Sequence, residues 1–117
     1  MEDFEQEGVV SIWVFQDQED PVDADKDVLK DLCGVDYYEI DSQEGVTNDH
    51  PQPLSSLMSQ LSYSGSFIQD ALNAAKRMGI MEAYGVMVQF DFAYDPSKVT
   101  RQISKDPAFI GYFGWHE

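Results

Sequence analysis

The stretch Val9-Val-Ser-Ile-Trp-Val-Phe15 decides the fold, because its apolar side chains alternate onto both faces of a strand. One face carries Val9, Trp13 and Phe15, and the other carries three aliphatic residues. A strand that is apolar on both faces is typical of a central position in a sheet with cover on both sides. We therefore expect residues 9–15 to form a central, doubly covered strand.

The apolar spacing and the Gly and Pro positions of the remaining sequence predict the other elements. In chain order these are a helix over 22–33, a strand over 36–40, a loop over 41–53, a helix from Pro53 to Leu61, a helix over 67–78, and strands over 84–92, 98–103 and 108–115. The strand over 84–92 alternates cleanly and is expected to put one side in the core. The side chains expected in the core include Trp13, Phe67, Phe90 and Phe109.

This order of elements predicts the fold class. Helices between strands, followed by a run of strands, indicate an α+β fold. We expect one domain over residues 1–117, with a mainly antiparallel sheet of four or five strands and two or three helices packed on it. Residues 1–7 are expected to form a flexible acidic N-terminus.

A cluster of serines precedes the third predicted helix, and helix capping explains it without catalysis. With Ser66 as the N-cap, Gln69 would complete a capping box. With Ser64 as the N-cap, Tyr63 would pack on Ile68 as a hydrophobic staple. The cluster lacks the sequence frames of a nucleophile elbow and of a phosphate-binding loop.

Charge is unevenly distributed along the chain. The 117 residues hold 22 acidic and 7 basic residues, for a net charge of −15. Residues 1–49 hold sixteen acids and two lysines, a net charge of −14, which leaves −1 for residues 50–117. Such a field repels nucleic acid and anionic membranes and attracts cationic partners. Solubility is one explanation; an acidic face that docks on a basic protein is the other, and the segregation favours it.

The location of the protein is also suggested by the sequence. No apolar run approaches the roughly 18 residues that a membrane-spanning helix needs. The first residues are acidic and do not resemble a signal peptide. The single cysteine, Cys33, excludes an intramolecular disulfide framework. We expect a cytoplasmic protein.

Metal and catalytic motifs are not supported. Asp23-Ala-Asp-Lys-Asp27 opens like a calcium loop, but Val28 stands where the loop needs glycine and Gly34 where it needs glutamate. The one cysteine and two histidines lack the spacing of zinc ligands. Asp91 lies between two phenylalanines and is a candidate shielded carboxylate, although we expect a solvent-facing strand residue there. We expect no metal, no cofactor and no catalysis.

Four motifs in order carry a resemblance to a known family. They are Val10-Ser-Ile-Trp13, Leu61-Ser-Tyr-Ser-Gly-Ser-Phe-Ile68, Phe90-Asp-Phe-Ala-Tyr94 and Phe109-Ile-Gly-Tyr-Phe113. Through these four motifs the chain resembles the Immunity protein 22 family, over about residues 8–115. The chain departs from the family pattern at Val14-Phe-Gln16, where the family often has a glycine, and residues 16–53 look individual.

The resemblance implies a small α+β protein of a bacterial polymorphic toxin locus that binds and neutralises a cognate toxin domain. A basic toxin is the expected partner, and a nuclease is one candidate. The residues expected to dock on it are Asp23, Asp27, Asp31, Asp36, Tyr37, Tyr38, Glu39, Asp41 and Glu44.

Two other functions remain open from the sequence. One is a small enzyme or ligand-binding domain with a cleft near Tyr63, Ser64, Asp91 and Tyr94. The other is a solubilising or assembly module without a toxin partner.

Overall fold

The fold is organised around one antiparallel sheet. The computed structural model describes residues 4–16, 29–30, 34–35, 38–99 and 107–116, with backbone alone for Ile40. The strands and helices of this part of the chain are β1 (Glu5–Phe15), β2 (Gln43–Pro53), α1 (Leu54–Met58), α2 (Ile68–Arg77), β3 (Glu82–Phe92) and β4 (Ala108–Gly114). The strands form a four-stranded sheet in the order β2-β3-β1-β4, and all neighbours are antiparallel. The predicted α+β fold is confirmed.

β1 is a central strand, as predicted, and it is covered on both faces. One face contributes to the helix-side core, whose buried residues include Val10, Ile12, Val14, Leu54, Leu57, Met58, Phe67, Ala71, Ala75, Val86, Val88 and Phe90. The other contributes to the opposite core, formed by Phe4, Trp13, Phe15, Leu29, Val35, Met87, Phe92 and Tyr94. The strand also begins earlier than predicted. Glu5–Glu7, within the segment expected to be flexible, belong to β1, and Phe4 is buried.

β3 is buried on both faces, whereas the sequence predicted one. Met87 and Gln89 lie on the face expected to meet solvent, yet they are only 6% and 1% exposed. The reason is the opposite core, in which Leu29 and Val35 come from distant parts of the chain. The alternation of apolar and polar residues along a strand shows only which face is more polar. It therefore did not reveal that a second layer covers the more polar face of β3.

The prediction of a loop over residues 41–53 is wrong, because Gln43–Pro53 form β2. β2 is an edge strand that pairs with β3 alone in the described sheet, so half of its backbone groups need no partner strand. Such edges tolerate proline and charged residues. The predicted strand over 36–40 is wrong in its described part, since Tyr38 and Glu39 do not belong to a strand and Ile40–Ser42 form a 3-10 turn.

α1 and α2 confirm the two helices predicted after residue 53. Gly79 stops α2 as predicted: it follows the C-cap residue Met78 and has a left-handed conformation with φ of 77°. The Ile80 amide donates to the Ala75 carbonyl at 2.9 Å, and the Gly79 amide donates to Lys76 at 3.0 Å. These two bonds form a Schellman motif, which satisfies the last carbonyls of the helix.

The start of α2 differs from both predicted caps. Ser64–Ser66 form a 3-10 turn, and the N-cap residue of α2 is Phe67, without a side-chain cap. The Ser66 hydroxyl donates to the Tyr63 carbonyl at 2.8 Å and accepts from the His116 amide at 3.1 Å. The serine therefore ties the turn to the end of β4 instead of capping the helix.

The predicted core residues lie in the core of the structure. Trp13 and Phe67 are each 1% exposed and Phe90 is 8% exposed, while Phe109 is half-buried against the opposite core. Most of the predicted helix over 22–33 lies outside the described residues, although Leu29 and Lys30 have helical backbone. The predicted strand over 98–103 also lies largely outside them. In the described part of the chain, no helix has the length and apolar character to cross a membrane.

Close contact between β2 and β3 yields a stability prediction. A Cβ at Gly85 would lie 2.8 Å from the Val46 carbonyl oxygen and 2.9 Å from Thr47 Cγ2. Gly85→Ala must therefore push the strands apart and should lower the free energy of unfolding by about 1–3 kcal/mol, measured by urea denaturation.

The matched control is Gly45→Ala on the facing strand, where the new Cβ would meet the Val86 carbonyl at an ordinary 3.5 Å. It should stay within about 0.5 kcal/mol of wild type. Equal losses in the two variants would contradict the role assigned to Gly85.

Candidate functional site

A break in the β1–β3 ladder creates the main polar depression of the sheet. Val10 of β1 pairs with Phe90 of β3. The next pair joins Glu5 to Phe92, so residues 6–9 of β1 face a single residue of β3. Extra residues on one strand make it bend away from its partner. The ladder therefore opens between these two pairs.

Asp91, the residue opposite the extra stretch, holds the bulge together. Gly8 and Asp91 both have left-handed backbone, with φ of 87° and 56°. The Gly8 amide donates to Asp91 Oδ1 at 2.9 Å, and the Gly8 carbonyl accepts from the Trp115 amide at 3.0 Å. Asp is one of the few residue types that adopts this conformation readily. Asp91 is thus half-buried and structural, where the sequence predicted a solvent-facing strand residue.

Buried Ser11 fixes the chain beyond the bulge. Its hydroxyl donates to the Phe92 carbonyl at 2.5 Å and accepts from the Tyr94 amide at 2.9 Å. Both bonds connect β1 to the end of β3, where the regular ladder has been lost. The backbone around the depression is therefore held at each side by a side chain.

The depression is a pocket of about 380 Å³ with an acidic lining. The polar residues that line it include Glu5, Glu7, Glu39, Ser42, Gln89 and Asp91. Its four carboxylates come from three separate parts of the chain. Among the described residues that line it, none is basic. A pocket of this kind favours a cationic group.

Gln89, which lines the pocket, carries a buried hydrogen-bond acceptor. The residue is 1% exposed, and its Nε2 donates to the Glu39 carbonyl at 2.7 Å. A carbonyl oxygen accepts hydrogen bonds, so the end of the amide that faces it must be the NH₂ group. The other end of the amide is therefore the oxygen, Oε1. Within the described part of the chain, Oε1 has no hydrogen-bond partner. A buried acceptor without a partner costs about 1–3 kcal/mol, which a bound donor would recover.

The predicted docking residues do not form one surface in the described structure. Five of them lie outside the described residues: Asp23, Asp27, Asp31, Asp36 and Tyr37. Glu39 lines the pocket, and Tyr38 packs beside it against the opposite core. Asp41 is exposed on the 3-10 turn that follows.

Glu44 lies on the other face of the sheet from Glu39. It pairs with Val88, a residue of the helix-side core, and its Oε1 accepts from the Ser62 amide at 3.2 Å. Glu39 instead contacts Gln89, whose side chain is on the face of the opposite core. Glu39 and Glu44 were predicted to share one docking surface because they are close in sequence, but they lie on opposite faces of the sheet.

The four residues of the predicted cleft are also apart. Tyr63 stacks on Trp115, with ring centroids 5.0 Å apart, next to the helix-side core. Tyr94 is 1% exposed in the opposite core, where it contacts Trp13 at 5.1 Å. Asp91 lines the acidic pocket, and the described lining includes neither tyrosine. The described structure therefore does not place Tyr63 or Tyr94 in the acidic pocket with Asp91.

Sequence reasoning missed Glu5, Glu7 and Gln89 as site residues. The two glutamates were assigned to a flexible terminus, and Gln89 to a solvent face. A signal for Gln89 was present, since it is a lone amide between Val88 and Phe90 in a strand rich in apolar residues.

Asp95, another ionisable residue, has a structural role. The Ser97 hydroxyl and amide donate to the Asp95 carboxylate at 2.6 and 2.9 Å, and these bonds lower the pKa of Asp95. Asp95 thereby caps the 3-10 turn Pro96–Lys98. Across the described ranges, no three His, Cys, Asp or Glu side chains are grouped so that they could hold a metal ion.

Comparison with known proteins gives no relative. Neither the scan against protein-family models nor the searches of curated proteins and of solved structures found a match.

The role of Asp91 can be tested by two substitutions. Asp91→Ala removes the acceptor for the Gly8 amide and places alanine at a positive φ, so the free energy of unfolding should fall by about 1–3 kcal/mol. Asp91→Asn keeps an Oδ1 acceptor and tolerates the left-handed backbone, and should stay within about 0.5 kcal/mol of wild type.

Urea denaturation of both variants decides the point. If Asn destabilises the protein as much as Ala does, the negative charge matters and the geometric explanation is wrong.

Proposed function

We propose that this chain is a non-catalytic immunity protein that binds a cognate toxin domain through an acidic surface and so neutralises it. The observation that carries the proposal is the gathering of Glu5, Glu7, Glu39 and Asp91 at one pocket whose backbone is fixed. Charge that serves solubility alone does not need to converge in this way. A pre-formed acidic site suits recognition of a basic protein surface.

The resemblance to the Immunity protein 22 family supports the same function. In this chain its motifs contact one another through aromatic rings. Trp13 and Phe109 have centroids 5.3 Å apart, and Tyr94 lies 4.8 Å from Phe109. Tyr63 and Phe90, with centroids 6.1 Å apart, join the remaining motif to the other three. The motifs thus act as one packing unit.

The binding surface we propose differs from the one that the sequence favoured. It centres on the pocket and includes Glu39 from the predicted set, while Glu44 on the other face is left out. The part of the predicted surface over 23–37 stays a prediction. A nuclease toxin fits the proposal, because a nucleic-acid cleft is positively charged and an acidic inhibitor can block it. Such inhibition would take place in the cytoplasm of the producing cell.

A growth-rescue experiment tests this function. The toxin domain encoded immediately upstream is expressed in a susceptible host with or without this chain. The wild-type chain should restore growth and bind the purified toxin domain. A wild-type chain that neither binds nor rescues would refute the immunity function.

Paired charge reversals test the surface. Glu7→Lys with Glu39→Lys should slow association with the toxin by about 10-fold or more at low salt, and raising the salt should shrink the difference. The control pair, Asp70→Lys with Glu82→Lys, makes the same change in net charge at exposed positions away from the pocket. Equal effects of the two pairs on association kinetics would show that the pocket is not the docking site.

A further inference from the structure

We propose that the pocket receives an arginine side chain of the partner, and that Gln89 Oε1 is an acceptor for its guanidinium. The identity of the partner as a toxin rests on the function proposed above. The pocket chemistry itself does not, since it follows from the residues in the pocket wall.

Two independent observations point to a ligand that is cationic and donates hydrogen bonds. The first is the acidic lining, in which Glu7 is exposed and Asp91 half-buried. The second is Gln89, a side chain 1% exposed that lines the same pocket and whose Oε1 has no partner in the described part of the chain. A charge alone would satisfy the carboxylates. The amide oxygen needs a hydrogen-bond donor as well.

A metal ion does not fit these observations. No group of three metal-ligating side chains comes close enough to share an ion within the described ranges. The acceptors are instead spread around a pocket of about 380 Å³, which is room for an organic head group. The ligand that spans separated acceptors must carry several donors of its own.

Guanidinium meets this requirement better than ammonium. It has five N–H donors in a rigid plane, so one head group can donate to a carboxylate and to an amide oxygen together. It is also less strongly hydrated than the ammonium group of lysine, which makes entry into a partly buried site easier. The pocket should therefore discriminate between two side chains of equal charge.

The acceptors are held in place before any ligand arrives. The Gln89 amide is fixed through its Nε2 by the Glu39 carbonyl at 2.7 Å. Asp91 is fixed by the Gly8 amide, which donates to its Oδ1 at 2.9 Å. A site that is ordered in advance loses little entropy on binding, which favours a single side-chain anchor.

The test is an NMR titration of the whole chain with N-acetyl-arginine methylamide. Saturable shifts are expected at the side-chain NH₂ of Gln89 and at the backbone amides of Glu7 and Asp91. N-acetyl-lysine methylamide at the same ionic strength should bind at least about threefold more weakly, since it has fewer donors. Equal shifts with the arginine compound, the lysine compound and sodium chloride would overturn the proposal.

Variants assign the binding to the pocket. Gln89→Met keeps the length of the side chain and removes the acceptor together with the Nε2 donor to the Glu39 carbonyl, so the initial slope of the arginine-induced shift should fall about tenfold or more. Glu7→Gln is exposed, is not expected to disturb folding and should also lower the slope. The control Glu82→Gln removes a charge outside the pocket and should leave the slope unchanged. Equal losses in Glu7→Gln and Glu82→Gln would overturn the proposal, whether or not Gln89→Met folds.

This assay contains no toxin, so its outcome is separable from that of the growth rescue. Arginine binding at the pocket together with failed rescue would refute the immunity function and leave the arginine site standing. Rescue without a preference for arginine would refute the site alone.

Discussion

The structure depends on the requirement that β1 be covered on both faces. Trp13 and Phe15 on one side and the valines and isoleucine on the other all need cover, and α1 and α2 contribute to the core on one side only. A second layer is therefore needed, and distant residues such as Leu29 and Val35 supply it. Burial of apolar surface is the largest favourable term in folding, so this requirement determines where the rest of the chain must go.

The polar pocket is a consequence of the way this central strand begins. β1 changes abruptly from apolar to acidic at Gly8, and its first residues would carry carboxylates into a buried layer if the regular ladder continued. The bulge turns that segment outward. Gly8 supplies the positive φ, and Asp91 supplies the acceptor for the amide that the ladder would otherwise have paired. The same irregularity that protects the core from charge opens a pocket lined with charge.

Local patterns predicted those parts of the fold whose causes are local. β1 and α2 follow from apolar periodicity, and the end of α2 follows from Gly79. β2 could not be predicted in this way, because its strand conformation comes from pairing with β3 and not from its own composition.

The start of α2 also escaped prediction, because two registers of Ser64 and Ser66 fitted the capping pattern equally well. The choice between capping and turn formation was made by contacts with Tyr63 and with the end of β4. The site was the least predictable part. Gly8 and Asp91 are 83 residues apart in sequence, and the carboxylates of the pocket meet only after the sheet has formed.

Charge and geometry have separable roles in the recognition that we propose for this pocket. The net charge of −15 attracts any basic surface, and this attraction is screened beyond about 8 Å at physiological salt. It can therefore speed encounter, but it cannot tell one cation from another. Gln89 has no charge, and its Oε1, which has no hydrogen-bond partner among the described residues, is sensitive to the position of a donor. Selectivity should thus reside in a neutral, buried residue, while the exposed carboxylates set the rate at which partners arrive.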